Sequence, residues 1–543
     1  MKTFRVAAAG IAVLLLAGCT AGSNGGSNTT APFDPSTLVS TTPAGTNPVD
    51  KVTWGIQAGE PSSLDPVRIG SDSQYQIIGN MCEALLQVQP DFSTAPGLAT
   101  DASYDTSGNV VINLRPGVTF WDGTPMTADD VAYSLQRSAD PTSGSITVAA
   151  FERVANIAAT GPLQVTVSFT TPDSQFLNAI AGPAGFVFEK AFSTAAGAGL
   201  GTPTGGVMCT GPFSFTSWTS GKDILLTANP DYWGGAPLVK QLDFVFTDSD
   251  ATLTNALVSG EIDGAFDVPV AAMSQLRSSS TGSVYVGPSN ATSSFGPASA
   301  TGPGADPNVR EALNLAIDKN SYVSTVLGGY GTVAKTFTTP FMWEGLADAG
   351  VYKAGYDALP TDGYDLAKAK QLVADAHLST TDLTMAIPAG AQQILQSATI
   401  VQAAAKQLGL NITIKQLQAT DFGNLFYDPS AREGIDFVAT TGYLDTPGAY
   451  AYASLFALPG GLFNWTNYSD DQVTALLQDG RTTQDQTKAA QDFVAAQAIY
   501  APAQLQVTLA NQYTRVFLSS KLTGVTTSFS YIVSPWALKL GGK

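Results

Sequence analysis

The stretch from Leu383 to Gly442 sets the tightest limit on what this chain can become. "LTMAIP" and "LNITIKQL" read as strands, and "QSATIVQAAAKQLG" between them reads as a helix. That helix carries Ile400, Val401, Ala404 and Leu408 on one face and ends at Gly409, a natural C-cap. "IDFVATTG" follows as another strand. Strand–helix–strand spacing of this length predicts parallel pairing through a right-handed crossover, and so an α/β fold. The helix before it, "DLAKAKQLVADAH", opens at Asp365.

The first half has a different rhythm. "VTWGIQAGEPSSLDP" reads as a short strand, Val52 to Ile56, running into a Gly/Pro loop. "IIGNMCEALLQV" predicts a helix whose apolar face is Ile77, Met81, Leu85 and Val88. "VVINLRPGVTF" and "LQVTVSFTTP" alternate apolar and polar residues, as strands with one wet face do, and "GPFSFTSW" and "DILLTANP" add a further pair. Thr127 is placed to cap the helix "DVAYSLQRS", with Asp129 and Asp130 suited to its dipole. No internal repeat and no second linker separate the halves. The 543 residues are enough for two or three lobes, each with its own core.

The N-terminus reads as an export signal, residues 1–18. Lys2 and Arg5 precede an apolar run, Val6 to Leu16, too short to span a bilayer. Leu16-Ala17-Gly18-Cys19 resembles the lipobox of bacterial lipoproteins, which implies cleavage before Cys19 and a diacylglyceryl group on its sulfur. Two acyl chains, at about 0.8 kcal/mol per buried CH2, hold where one only visits. The alternative is an ordinary signal peptide with a chance cysteine. Residues 19–49 are rich in Gly, Ser, Thr, Pro and Asn and read as a disordered tether. The expected location is therefore the outer face of the cell membrane, reached through the lipid anchor alone.

A formal charge of −18 makes nucleic acid and anionic lipid poor partners for the folded body. Three cysteines and the single histidine, His377, leave little material for a metal site, and no cofactor motif is present. A hydrolase needs an activated nucleophile or paired carboxylates in a cleft. His377 lies at a helix end, where capping accounts for it, and no G-x-S-x-G, H-E-x-x-H or phosphate loop occurs. The reading is a binder rather than a cell-surface hydrolase.

Several blocks then occur in one order: "EPSSLDP", "APGLATDASYDTSGNVVINLRPGVTFWDGTPMTADDVAYSLQR", "TGPFSFTSW", "NPDYWGGAP", "SGEIDGAF" and "NVREALNLAIDKNSYV". From about residue 50 onward the chain resembles the extracellular solute-binding proteins, family 5, of peptide/nickel-type ABC transporters. The resemblance implies a two-lobed periplasmic-binding-protein-like fold (type II, cluster C) with a subdomain inserted in lobe one. Lobe one would take residues 50–288 and 506–543, the insert about 84–198 within it, and lobe two 289–505. Trp121, the Asp122-Gly123 turn and the Gly260–Asp263 junction read as scaffold, and Arg310 with Asp318 as a structural pair.

The resemblance also implies a monomer that captures a peptide between the lobes and delivers it to a permease, with oligosaccharides or metal chelates as alternative cargo. In peptide binders of the family, the loop matching "GYLDTPGAY" carries an aromatic residue and an aspartate that pairs with the peptide's α-amino group. Tyr443 falls on the aromatic position and Asp445 is the nearest carboxylate, though the spacing to Pro447 is shorter than usual and loop capping is the competing role for Asp445. Asn464 and Trp465, in "LFNWTNYSDDQV", match the family's Asn-aromatic turn and either face the pocket or pack in the interior. Asp72 and Ser73, read as part of a loop, would be lobe one's contribution. Cys82 and Cys209, both in lobe one and in an oxidising compartment, form either a bridge or two separate buried thiols.

Overall fold

The computed structural model describes residues 33–543 apart from Ala58, Asp248 and Asp362. The expected signal segment, Cys19 and the tether up to residue 32 lie outside the described residues. Two mixed sheets dominate. The first has seven strands in the order Phe213–Thr219, Asp223–Ala228, Val239–Phe246, Val49–Ile56, Gly264–Ala265, Thr514–Ser519, Gly282–Gly287. Val49–Ile56 lies between two parallel neighbours, so Val52, Trp54 and Ile56 are wholly buried. Trp54 packs its ring against Phe266 and Trp536, with centroids 4.8 and 4.4 Å away.

The second sheet has six strands, in the order Gly331–Val333, Val507–Gln512, Thr292–Pro297, Phe437–Gly442, Asp382–Pro388, Asn411–Leu417. Asp382–Pro388 pairs in parallel with both Asn411–Leu417 and Phe437–Gly442, as the crossover pattern predicts. The helix Gln392–Gln407 connects the first of these pairs, burying Ala398, Val401, Ala404 and Ala405. Gly409 follows with φ +81°, a left-handed turn that glycine adopts without strain.

The chain passes between the sheets twice among the described residues: from Gly282–Gly287 to Thr292–Pro297, and from Val507–Gln512 to Thr514–Ser519. Since Val507–Gln512 belongs to the second sheet, the return to the first falls at Tyr513, not at 506 as expected. The reason is register: Val507–Gln512 pairs with Thr292–Pro297, which only the second sheet contains.

A third layer, a four-stranded antiparallel sheet, covers 99–169 and packs on the helix Ala128–Ala139. Thr127 caps that helix through a capping box with Asp130. A Cys82–Cys209 disulfide, with Cα atoms 5.0 Å apart, ties together the two chain segments that flank this subdomain, both of them in the first sheet's body. The subdomain itself is fastened to that body by a bidentate Arg137–Asp65 pair, 2.6 Å on each arm, and by a Trp121 Nε1–Gly211 carbonyl bond of 3.0 Å. On its other side the subdomain meets the helix Asp471–Thr482 of the second body, where Arg481 donates to Asp173 and Glu152.

Four other sequence expectations need correction. Residues 77–88 do not form one helix: it runs Asp72–Ile78, and short strands Glu83–Ala84 and Leu86–Val88 follow. The residues after it are taken into sheets instead: Glu83–Ala84 pairs with Phe186–Val187 and Leu86–Val88 with Thr94–Pro96. Ser71-Asp72-Ser73 is not a loop but the start of that helix, because Ser71 and Gln74 form its capping box. The segment 33–49 is not a tether. Phe33 packs against Tyr330 and Tyr513, and Thr42 donates its amide to Val525 at 2.9 Å, so apolar anchors and backbone pairing overcome a composition that reads as disordered. Arg310 and Asp318 are not a pair. Arg310 is 3% exposed and donates to the carbonyls of Ala503, Gln504, Gly304 and Ala305, and burial pushes its pKa down to about 10. Asp318 caps the helix Lys319–Thr325.

Candidate functional site

The seam between the two main sheets gathers an unusual set of polar side chains. From the second body, the strand Phe437–Gly442 ends and its chain turns through Tyr443, Leu444 and Asp445. The turn is held from the crossing segment: Asn290 donates its amide to the Leu444 carbonyl at 2.6 Å and accepts the Leu444 amide at 3.4 Å. The inserted subdomain presses on the same turn at Gly182. A Cβ there would lie 2.6 Å from Thr446 Cγ2 and 2.8 Å from the Asp445 carbonyl, so glycine permits the approach.

From the first body, the helix Asp72–Ile78 points Tyr75 across the seam, where its hydroxyl donates to Asp445 Oδ2 at 2.5 Å. Burial raises the Asp445 pKa, only partly offset by that bond. Tyr443 stands edge-on to Tyr75 and to Phe529, with centroids 6.4 and 5.6 Å apart. A cavity opens beside Asp445, lined by Asn290, Phe341, Leu444 and Pro447 from one side and by Val88, Phe92, Phe529 and Ile532 from the other.

One helical turn before Tyr75, Asp72 accepts from the Tyr531 hydroxyl at 2.8 Å, and the same hydroxyl lies 2.7 Å from Asp267. Burial first, and the charge of Asp267 second, push the Asp72 pKa up to about 6. Burial also raises Asp267, against the pull of Arg515. Asp72, Asp267, Tyr443 and Asp445 each keep partial contact with solvent, and of the four Asp445 lines the cavity.

The structure thus brings Asp72, Tyr443 and Asp445 together; burial raises the Tyr443 phenol, and both carboxylates raise it further. Ser73 is 1% exposed on the far side of the helix start, its hydroxyl 3.1 Å from that of Ser71. Asn464 and Trp465 are not among the residues lining the cavity. Asn464 donates to the Leu458 and Tyr468 carbonyls and accepts the Tyr468 amide, organising its own turn. Trp465 donates to the Leu462 carbonyl, and the Arg432 guanidinium covers its ring at 4.3 Å. The sequence reading missed Tyr75, Gln76, Asn290, Asp267 and Tyr531. Tyr75 was findable: Ser71 with Gln74 three residues later is a capping-box pattern, and a helix begun there places Tyr75 on the face of Asp72. The others come from distant chain segments and leave no local signal.

Among the described residues no group of three or more His, Cys, Asp and Glu could hold a metal, and no helix is long and apolar enough to cross a membrane.

The comparisons with known proteins agree with this architecture. The family model for bacterial extracellular solute-binding proteins, family 5, matches residues 93–464. The glutathione-binding protein GsiB of Pectobacterium atrosepticum is 26% identical over 484 residues, 85% of this chain and 89% of that one. Its counterpart in Escherichia coli K12 is 25% identical over 450 residues, 81% and 84% of the two chains. Among solved structures, the oligopeptide-binding protein AppA of Bacillus subtilis, in complex with a nonapeptide, superposes with a TM-score of 0.79 at 19% identity, covering 92% of this chain and 99% of that one. NikA of Staphylococcus aureus, in complex with Ni(L-His)2, gives 0.76 at 18% identity, covering 89% and 98%. Two sheets joined by two crossings, polar groups facing each other across the seam, and a family match over most of its length place this chain in family 5 of the bacterial extracellular solute-binding proteins, the capture components of ABC-type importers.

Proposed function

We propose that this protein captures a peptide between its two lobes and hands it, as a lipid-anchored monomer outside the membrane, to an importer's permease. The observation that carries the cargo class is Asp445, a carboxylate at the seam whose one side-chain partner among the described residues is the neutral Tyr75 hydroxyl. A ligand ammonium meets it there in a charge-assisted bond worth roughly 1.5–3 kcal/mol. Closure follows from differential affinity: a ligand touching both lobes stabilises the closed arrangement over the open one. Relatives that bind glutathione and a neighbour holding a nonapeptide support a peptide-like cargo. An oligosaccharide would call on an open aromatic face, and the Trp465 face is occupied by Arg432.

Isothermal titration tests the reading. Asp445→Asn keeps the shape and removes the charge, so a free-amine tripeptide should bind at least about tenfold more weakly. The N-acetylated peptide should bind poorly to the wild type and lose little more in the variant. Unchanged affinity of the free-amine peptide for Asp445→Asn removes the anchor and the peptide reading with it. The lipid anchor at Cys19 is tested separately by fractionation: Cys19→Ser should leave the membrane or persist as a precursor, and wild-type behaviour would rule the anchor out.

A further inference from the structure

The seam holds more negative charge than a single ammonium answers. Asp445 faces it from one lobe, and Asp72 and Asp267 face it from the other, bridged by Tyr531. The cation nearest to that bridge is Arg515, which donates Nε to the Val268 carbonyl at 2.9 Å and Nη1 to the Tyr513 carbonyl at 3.0 Å. It attracts Asp267 from behind and does not form an ion pair with either acid. Donors are few. The Tyr531 hydroxyl has one proton and two carboxylates at hydrogen-bond distance, so it donates to one of them only, and the Arg515 backbone amide reaches Asp267 at a long 3.4 Å.

A separate observation makes this a site with a missing donor. Gln76 is 2% exposed, its amide nitrogen is bonded to Asp72, and its Oε1 has no hydrogen-bond partner. Turning the amide over does not remove the deficit, because its oxygen would then face the Asp72 carboxylate. In native interiors such a buried acceptor is usually answered by a donor, and no described group supplies one here.

From this geometry we infer that Asp72, Asp267 and Gln76 form a second cation subsite, opposite Asp445, and that the cargo is a peptide with a basic side chain beside its free amine. The inference rests on the peptide reading and names its substrate class. The lining of the cavity beside Asp445 contains no lysine or arginine, so no fixed cation there answers Asp445; Asp72, Asp267 and Gln76 stand outside that lining. The relatives' ligand, glutathione, has two carboxylates and is a poor match to such a cleft.

The test is a titration of the whole protein with Lys-Ala-Ala and Ala-Lys-Ala, each beside its norleucine counterpart, and with 1,5-diaminopentane. At least one lysine peptide should bind ten times or more tighter than its norleucine partner. In Asp72→Asn, and independently in Asp267→Asn, that gap should fall below threefold, while Asp445→Asn should weaken both members of the pair and keep the gap. Thermal melting checks that each variant folds, and either of the two first-lobe variants suffices. If lysine and norleucine peptides bind equally, the second subsite is wrong and the Asp445 reading stands. A gap that survives in both first-lobe variants also overturns it. If no peptide and no diamine binds, both readings fall.

Discussion

Removing the Asp173 carboxylate probes the contact by which the inserted subdomain holds the second lobe. Arg481, on the helix Asp471–Thr482, donates Nε to both Asp173 oxygens at 3.1 Å and Nη2 to one of them at 2.7 Å. Its side chain is 11% exposed and that of Asp173 1%, so water cannot replace the lost partner. Truncating one member of a buried pair costs about 3–5 kcal/mol, because the other charge is stranded. Glu152 also touches Arg481 but is 52% exposed, and its screened attraction recovers only a fraction. Asp173→Ala should therefore destabilise by about 3 kcal/mol. In scanning calorimetry, at about 2.1 cal/mol/K per residue, that lowers the melting temperature by roughly 3 °C if the chain melts as one unit and about 6 °C if the second lobe melts alone. The double variant Asp173→Leu/Arg481→Met replaces the pair by apolar groups and should return most of the loss. A loss below about 1 kcal/mol in Asp173→Ala, or no recovery in the double variant, would refute the stranded-charge argument.

Two further outcomes are expected. Breaking the Cys82–Cys209 bridge, which closes a loop with a sequence separation of 127, should cost up to about 5 kcal/mol in the chain-entropy view, and denatured unreduced protein should titrate neither thiol. Asp72 has its pKa raised from 3.8 to about 6, so the folded state binds more protons than the unfolded state between these values. Its contribution to stability is accordingly fullest at low pH and lost as pH rises toward 6. Binding of a lysine peptide needs the ionised form and moves the other way: affinity should fall about tenfold from pH 7 to pH 5 in calorimetric titrations, a dependence that Asp72→Asn should flatten.

Where local sequence decided the outcome, it did so through short-range physics. The strand–helix–strand run from Asp382 to Gly442 pairs as its periodicity predicts, and Thr127, Asp365 and Gly409 cap where their chemistry places them. Tyr443 and Asp445 were singled out by the resemblance to the family's peptide binders and by their place after a strand's carboxyl end, which opens onto a crevice in such folds. The helix over Ile77–Val88 failed for the opposite reason. Its apolar spacing suits a helix, but the helix ends at Ile78 and the residues beyond it pair with Phe186–Val187 and Thr94–Pro96 in short sheets. Phe33 and Leu38 show the same override, a low-complexity segment ordered by partners supplied from Tyr330 and Tyr513.

The candidate site divides along the same line. Tyr443 and Asp445 are named through the resemblance of their loop to that of the family's peptide binders, and Asp72 only as part of a polar stretch read as a loop. That Asp445 meets Tyr75, and that Asp72 and Asp267 share the hydroxyl of Tyr531, depends on how the two bodies joined by the chain crossings pack together. A carboxylate's neighbours across a seam are set by tertiary packing over hundreds of residues. The charge of that seam is a property of the packed chain, and no single segment of the sequence contains it.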